Sequence, residues 1–304
     1  MMKIAVVGSY GAGLTMRVPR VPVAGETLSG GVFASGHGGK GSNQAVAAAR
    51  LGAEVSFLTA VGQDQFGAAA RQLWADEGVD ASRVRTTDSA TMVGVILVDE
   101  EGENRIVIAP GALDDLTPAD VEAFADRIAE ADIVVVSLEI PLPVATAALR
   151  IAHERGVRTL LNPAPAAQLP AEAWEWIDVL TPNASEARVL TGRDPDGDAT
   201  PDELVAMLRE RFNGTIVLTL GARGAVVDQN GQRVHIDPIA VPHVVDTTGA
   251  GDSFTAALAV ALARGDALTD AARYAAAAGA HAVGVAEVIP ALPYPDDVAA
   301  LLRR

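Results

Sequence analysis

Two glycine clusters, each running into helix-forming residues, carry the side chains best suited to chemistry. In Asp246-Thr-Thr-Gly-Ala-Gly-Asp252 the glycines free the backbone to turn several N–H groups toward one point, and the N-terminus of the following helix adds partial positive charge there. Such an element cradles a phosphate. Asp252 stands at the helix start, where a carboxylate either caps orphan amides or accepts a proton, and the residues alone leave both roles open. The second cluster, Gly36-His-Gly-Gly-Lys-Gly-Ser-Asn-Gln44, also opens a helix. It is not a Walker A loop, because Gly41 rather than Ser or Thr follows Lys40 and Ala34 stands where the first glycine is needed. In Gly8-Ser-Tyr-Gly-Ala-Gly13 the glycines fall at 8, 11 and 13, so the dinucleotide fingerprint is not met.

A phosphate site in this chain has to be built locally. Lys and Arg number 23 against 39 Asp and Glu, so the formal charge is 23 − 39 = −16, and no basic face offers itself to a nucleic-acid backbone. No nucleic-acid partner is expected. No run of 18 apolar residues occurs, and the apolar stretch Ile4–Val7 is too short for a signal peptide, so no membrane partner and a cytoplasmic location are expected. The absence of cysteine excludes disulfides, thiolate nucleophiles and Cys-ligated metals. The five histidines contain no i, i+4 pair, and His37 and His243, although close to the two clusters, read as structural.

The elements that position these residues follow from hydrophobic patterning. Apolar β-branched runs at Lys3–Val7, Val55–Ala60, Ile133–Leu138, Thr159–Leu161, Val179–Thr181 and Thr215–Leu220 alternate with helical segments such as Gly41–Leu51 and Ser253–Arg264. Parallel strands need crossover helices and become buried on both sides, so this alternation predicts a doubly wound α/β fold: a mostly parallel sheet with helices on both faces. Thr91–Val98 and Arg105–Ala109 around a polar turn predict a hairpin, and Arg17–Phe33 is also strand-like, punctuated by Pro19, Pro22 and Gly25. These stretches predict a small β-sheet outside the main one. With 304 residues the chain is long enough for a single large domain, 1–304, carrying that sheet on inserted segments at about 13–35 and 91–110.

Taken together, Gly38-Gly-Lys-Gly-Ser-Asn-Gln-Ala45 and Asp246–Asp252 resemble the two signatures of the ribokinase-like (PfkB) carbohydrate kinases. Gly25-Glu-Thr27, Gly102-Glu-Asn104, Leu138-Glu139, Asn162-Pro-Ala-Pro165, Thr181-Pro-Asn-Ala-Ser-Glu186 and Thr219-Leu-Gly-Ala-Arg-Gly224 add matches in the family's order, most of all to its ribokinases. The resemblance implies an ATP-dependent sugar kinase that transfers the γ-phosphate to a hydroxyl of a small sugar or sugar-like acceptor. It implies Asp252 as general base, with the amides of Gly249, Ala250 and Gly251 as an anion hole. Asn183 and Glu186 match an element that helps hold Mg²⁺ and the phosphates, Glu186 through water. Thr219, Gly221 and Gly224 match the nucleotide side. Gly39, Lys40 and Asn43 match the sugar-side loop. Glu139 matches an acidic residue near sugar and metal, with capping of the loop before Pro141 as its alternative. Asp246 and the carbonyl of Thr248 match half of an activating potassium-type site, whose other half, in Val283–Ala291, matches poorly.

One departure bears on the acceptor. The family's ribokinases follow the first strand with Gly-Ser-x-Asn-x-Asp, whose carboxylate takes two sugar hydroxyls, whereas Gly11 and Gly13 occupy the Asn and Asp positions of this sugar-binding element. Charge-assisted bonds to a diol contribute a few kcal/mol, so their loss predicts a shifted acceptor. The two glycines leave space, with Tyr10 or Thr15 available to contact a bulkier or differently hydroxylated compound. A strict ribose kinase with compensating contacts is the alternative, ahead of a nucleoside kinase or a non-catalytic sugar-binding sensor. The resemblance further implies that the small sheet is a lid that pairs two subunits, and its apolar face predicts a homodimer.

Overall fold

A computed structural model describes residues 1–303. In chain order its strands are β1 (Lys3–Val7), β2 (Gly11–Arg17), β3 (Val32–Gly38), β4 (Glu54–Leu58), β5 (Ala60–Gly62), β6 (Arg85–Thr87), β7 (Val93–Val98), β8 (Asn104–Ala109), β9 (Ile133–Ser137), β10 (Arg158–Asn162), β11 (Val179–Leu180), β12 (Thr215–Thr219), β13 (Ala225–Gln229) and β14 (Gln232–Ile236). The main sheet has the order β14-β13-β12-β11-β10-β9-β1-β4 and is parallel from β12 to β4. All six predicted runs lie in it, the one at Val55–Ala60 continuing past β4 into β5. Alternation along β1 shows why the sheet is covered on both sides. Ile4 and Val6 enter one core, with the helices Lys40–Arg50 and Ala250–Arg264, whereas Ala5 and Val7 enter another, with the helix Leu142–Glu154. No described helix is long and apolar enough to cross a membrane.

β6, β13 and β14 lie outside the predicted runs. β13 and β14 form an antiparallel hairpin at the sheet edge, closed by Asn230-Gly231 with φ of 54° and 80°. Asn-Gly is the preferred pair for a two-residue turn that needs positive φ twice, so the signal was present.

The smaller sheet has the order β3-β2-β7-β8. β7 and β8 are the predicted hairpin. The expectation of a strand-like Arg17–Phe33 is corrected: β2 ends at Arg17, β3 begins at Val32, and most of the intervening residues are irregular. Pro19 and Pro22 lack the N–H that a ladder requires, and Gly25 and Gly30 take φ of 83° and 97°, outside the β region.

What positions the site is a close backbone contact. A Cβ on Gly41 would lie 2.6 Å from the Gly8 carbonyl carbon, and one on Gly39, at φ 87°, would lie 2.6 Å from the Tyr10 Cα. Glycine at these positions lets the start of the helix Lys40–Arg50 abut the carboxyl end of β1. Buried alanines do the same for the helix Ala250–Arg264, whose Ala256, Ala257 and Ala259 share a core with Ala45 and Ala48. Both helix N-termini thereby meet where the chain leaves β9, β10, β11 and β12, the usual place for ligands in an open parallel sheet.

Candidate active site

At that edge lies a cleft of about 400 Å³. Gly39, Lys40 and Asn43 line it from one helix start, and Gly249, Gly251 and Asp252 from the other. Glu139 enters after β9, Asn183 and Glu186 from the helix Ala184–Leu190, Thr219 from the end of β12, and Thr248 from the approach to Gly249. Residues about 200 positions apart are in contact here: Asn43 Nδ2 donates to Asp252 Oδ2 at 2.8 Å.

Gly249 caps the helix Ala250–Arg264 in the left-handed region, at φ 81°, with no side chain bonded to the cap. First-turn amides lack intrahelical acceptors, so they leave donors for a ligand at the Gly251 end of the cleft. Ala250 is turned inward, its N–H donating to the Thr247 carbonyl at 3.3 Å. Asp252 is only 6% exposed. Burial pushes its pKa up, Lys40 pulls it back, and the amides of Asn43 and Gln44 act in the same sense as Lys40 against a contribution from Glu139. Asp252 thus accepts from the side chains of Asn43 and Gln44 and does not cap its own helix.

Lys40 is the single cation among the described residues that line the cleft, facing Glu139, Glu186 and Asp252. Burial works against its charge, but these three carboxylates outweigh burial and hold its pKa above the ordinary lysine value. Glu139 Oε2 accepts from Ser9 Oγ at 2.5 Å and from the Lys40 backbone N–H at 2.9 Å. It therefore caps the glycine-loop helix from outside and not the loop before Pro141. Glu186 forms a capping box with Asn183: its Oε2 accepts the Asn183 N–H at 2.8 Å and its Oε1 the Asn183 side-chain amide at 2.9 Å. Burial raises its pKa, opposed by the Asn183 backbone bond and Lys40.

Several expected residues stand back from the cleft lining. Gly224, at φ 81°, is required by packing, since a Cβ there would lie 2.0 Å from the Ile236 carbonyl oxygen at the end of β14. Gly221 begins a short 3₁₀ turn beside it. Asp246 Oδ1 accepts from the N–H and hydroxyl of Thr248, at 2.9 and 2.7 Å. Gly11 and Gly13 lie in β2 and differ in the room they leave. A Cβ on Gly11 would lie 2.2 Å from the Met92 methyl, so Met92 fills that space; at Gly13 the nearest atom is the Gly36 carbonyl oxygen, 3.8 Å away. Tyr10 does not face an acceptor. Its ring is 1% exposed and stacks edge-on against Trp74, and its hydroxyl bonds His37 Nδ1 at 2.9 Å. Thr15 lies in β2 between Ala34 and Ile96.

The cleft also contains residues to which the sequence reading assigned no role: Asn162, Thr181, Thr247, Thr255 and Val288. Asn162 and Thr181 open two of the quoted motifs, so their positions were visible although their contacts were not.

Residues 1–295 match the model of the pfkB family of carbohydrate kinases. The chain is 37% identical to the ribokinase of Haemophilus influenzae over 281 residues, covering 92% of each. It is 38% identical to the ribokinase of Schizosaccharomyces pombe over an alignment of 307 residues, covering 96% of each. Among solved structures, it is similar to Arabidopsis thaliana ribokinase complexed with ribose and ATP, with a TM-score of 0.93, 30% identity and full coverage of both chains.

Proposed function

The chain belongs to the pfkB family of carbohydrate kinases and is an ATP-dependent sugar kinase, and we propose that Asp252 is its general base and that its acceptor is a small sugar or sugar-like compound bound without a carboxylate at position 13. Asp252 takes the proton of the attacking hydroxyl; that oxygen bonds the γ-phosphorus as the bond to the ADP oxygen breaks. Amides at the start of the helix Ala250–Arg264 and the Lys40 ammonium offset charge on the transferring group. The observation that carries this reading is a buried carboxylate beside one lysine and a helix N-terminus in a single cleft. Asn43 supports the acceptor's place, because its Oδ1 is buried without a partner while its amide holds Asp252.

The donor set fits Mg²⁺. Three carboxylates against one lysine would repel a bare triphosphate, and no three acidic or histidine side chains among the described residues form a cage. That suits an ion that keeps several of its waters. Glu186, oriented by Asn183, would hold it through water, and bound Mg²⁺ would supply countercharge to the phosphates. A monovalent cation beside Asp246 and the Thr248 carbonyl belongs to the same reading, so acceptor assays should be run in potassium and in sodium.

An acceptor screen over pentoses, 2-deoxypentoses, ketohexoses, polyols and nucleosides tests the acceptor. Ribose is expected to be a poor acceptor, and Gly13→Asp to raise its kcat/KM about 10- to 100-fold, the value of one charge-assisted interaction. Position 13 has room for that side chain. Ribose as the best acceptor of the unaltered enzyme, with no gain in Gly13→Asp, would instead establish a strict ribose kinase, the second reading, which the Haemophilus and Schizosaccharomyces relatives favour.

The chain's assembly follows from the smaller sheet, which in this reading is a lid, since β3 leads directly into the cleft residue Gly39. It leaves Val32, Phe33, Val95, Ile106, Val107 and Ile108 between 43% and 71% exposed. Phe33, Val95 and Val107 share one face of this sheet and Val32, Ile106 and Ile108 the other. Exposed apolar side chains of this kind favour a partner, and a second copy of the chain is the occupant in this reading. Light scattering at micromolar concentration should give twice the 31.2 kDa chain mass, whereas a monomer would refute the pairing.

A further inference from the structure

Both oxygens of Asp252 are met by carboxamides from consecutive residues of one helix. Asn43 Nδ2 donates to Oδ2 at 2.8 Å, and Gln44 Nε2 donates to Oδ1 at 3.1 Å. Asn43 lines the cleft. Gln44 does not: it is 1% exposed and lies behind the carboxylate.

A carboxamide can present either its oxygen or its nitrogen, and only its other partners decide which. The Gln44 nitrogen also donates to Asn162 Oδ1 at 3.1 Å, and Asn162 Nδ2 donates to the backbone carbonyl of Thr181 at 3.1 Å. A carbonyl oxygen can only accept. Asn162 must therefore turn its nitrogen to Thr181 and its oxygen to Gln44, and Gln44 must in turn present its nitrogen. Rotating Gln44 by half a turn would set its oxygen against two acceptors, Asn162 Oδ1 and Asp252 Oδ1. The orientation is kept although it leaves Gln44 Oε1 buried with no partner.

We propose that Thr181, Asn162 and Gln44 form a polarity relay in which the main-chain carbonyl just after β11 compels Gln44 to donate to Asp252, so that Gln44 and Asn162 are positioning residues for the general base. The inference rests on Asp252 being that base. A donor that cannot lose its proton stabilises the ionised carboxylate and fixes which lone pairs remain free for the acceptor hydroxyl. The charged groups facing Asp252 are Lys40 on the same helix as Gln44, Glu139 after β9, and Glu186 on the helix Ala184–Leu190. The relay acts beside Lys40 and against the two carboxylates.

The test is the pH profile of kcat for the best acceptor found, in Gln44→Met and in Asn162→Ser. Gln44→Met keeps volume and removes the donor. It should lower kcat at pH 7 about tenfold and move the acid limb up by about one pH unit, with sugar KM within about twofold of the parent. Asn162→Ser leaves Gln44 in place but frees it to rotate, so a shift in the same direction is expected, and the double variant should shift no further than Gln44→Met. An unmoved acid limb in either folded variant overturns the relay, whatever happens to melting temperature. If Gln44→Met does not fold, Asn162→Ser alone decides. Asp252→Asn separates the premise from the inference. Near-parental turnover in that variant removes the general base itself, whereas turnover lost in Asp252→Asn with unmoved limbs in the other two refutes only the relay.

Discussion

Asp252→Asn is expected to lower kcat by about three orders of magnitude, the value of a positioned base, while ATP binding measured by calorimetry stays within about twofold. Asparagine keeps the shape and can still bond Asn43 and Gln44 after reorientation, so the lost capacity is proton acceptance. The same variant should melt higher. Burial raises the Asp252 pKa in the fold, so the protonated form is favoured there and ionisation opposes folding. The sign follows from linkage: a carboxyl whose folded pKa lies above its unfolded one destabilises increasingly as pH rises from the unfolded value through the folded one. At pH 8 a neutral isostere relieves that opposition, and a gain of about 3 °C is reasonable for a chain of this size. The acid limb of parental activity should correspondingly lie above the ordinary aspartate range. Near-parental kcat in Asp252→Asn would remove the assigned mechanism.

Lys40→Met should be almost as damaging. Lys40 faces three carboxylates in the cleft, and removing one partner of a buried charge cluster typically costs about 3–5 kcal/mol because the remaining charges are left uncompensated. If the whole of that cost fell on the ATP complex, kcat/KM for ATP would fall by about 10²- to 10⁴-fold. The acid limb should also move up, since Lys40 is the strongest of the groups that lower the Asp252 pKa. Lys40→Arg should recover only part of the loss, because a planar guanidinium cannot occupy the place of a compact ammonium. A change of less than about fivefold in Lys40→Met would mean that the helix N-terminus and metal carry the phosphate charge without it.

Much of the fold was legible because it depends on patterns local to each segment. Apolar β-branched runs predicted the parallel strands, and the polar turn at 99–104 predicted the β7–β8 hairpin. The β13–β14 hairpin carries a local signal of the same kind in Asn230-Gly231. Arg17–Phe33 departs from its strand-like composition because Pro19 and Pro22 lack the donors a continuous ladder needs. In the site, the motif residues converged on one cleft, but Gly224 proved to be tied to strand packing and Tyr10 to the core, since a residue type shows what a side chain can do and not which way it faces.

The sequence by itself determined that any anion site had to be local, because a −16 chain offers no basic surface, and it marked the two glycine-led helix starts where that site is built. Only the tertiary structure decided that these starts share one cleft. The approach depends on Gly8, Gly39 and Gly41 meeting backbone to backbone and on alanine faces packing between helices, contacts made across long stretches of chain. It likewise decided that Met92 fills the space beside Gly11 while Gly13 stays open, and that the Thr181 carbonyl, just past β11, sets the polarity of Gln44 through Asn162. Hydrogen-bond direction and free volume belong to groups brought together in space, and no spacing along the chain encodes them.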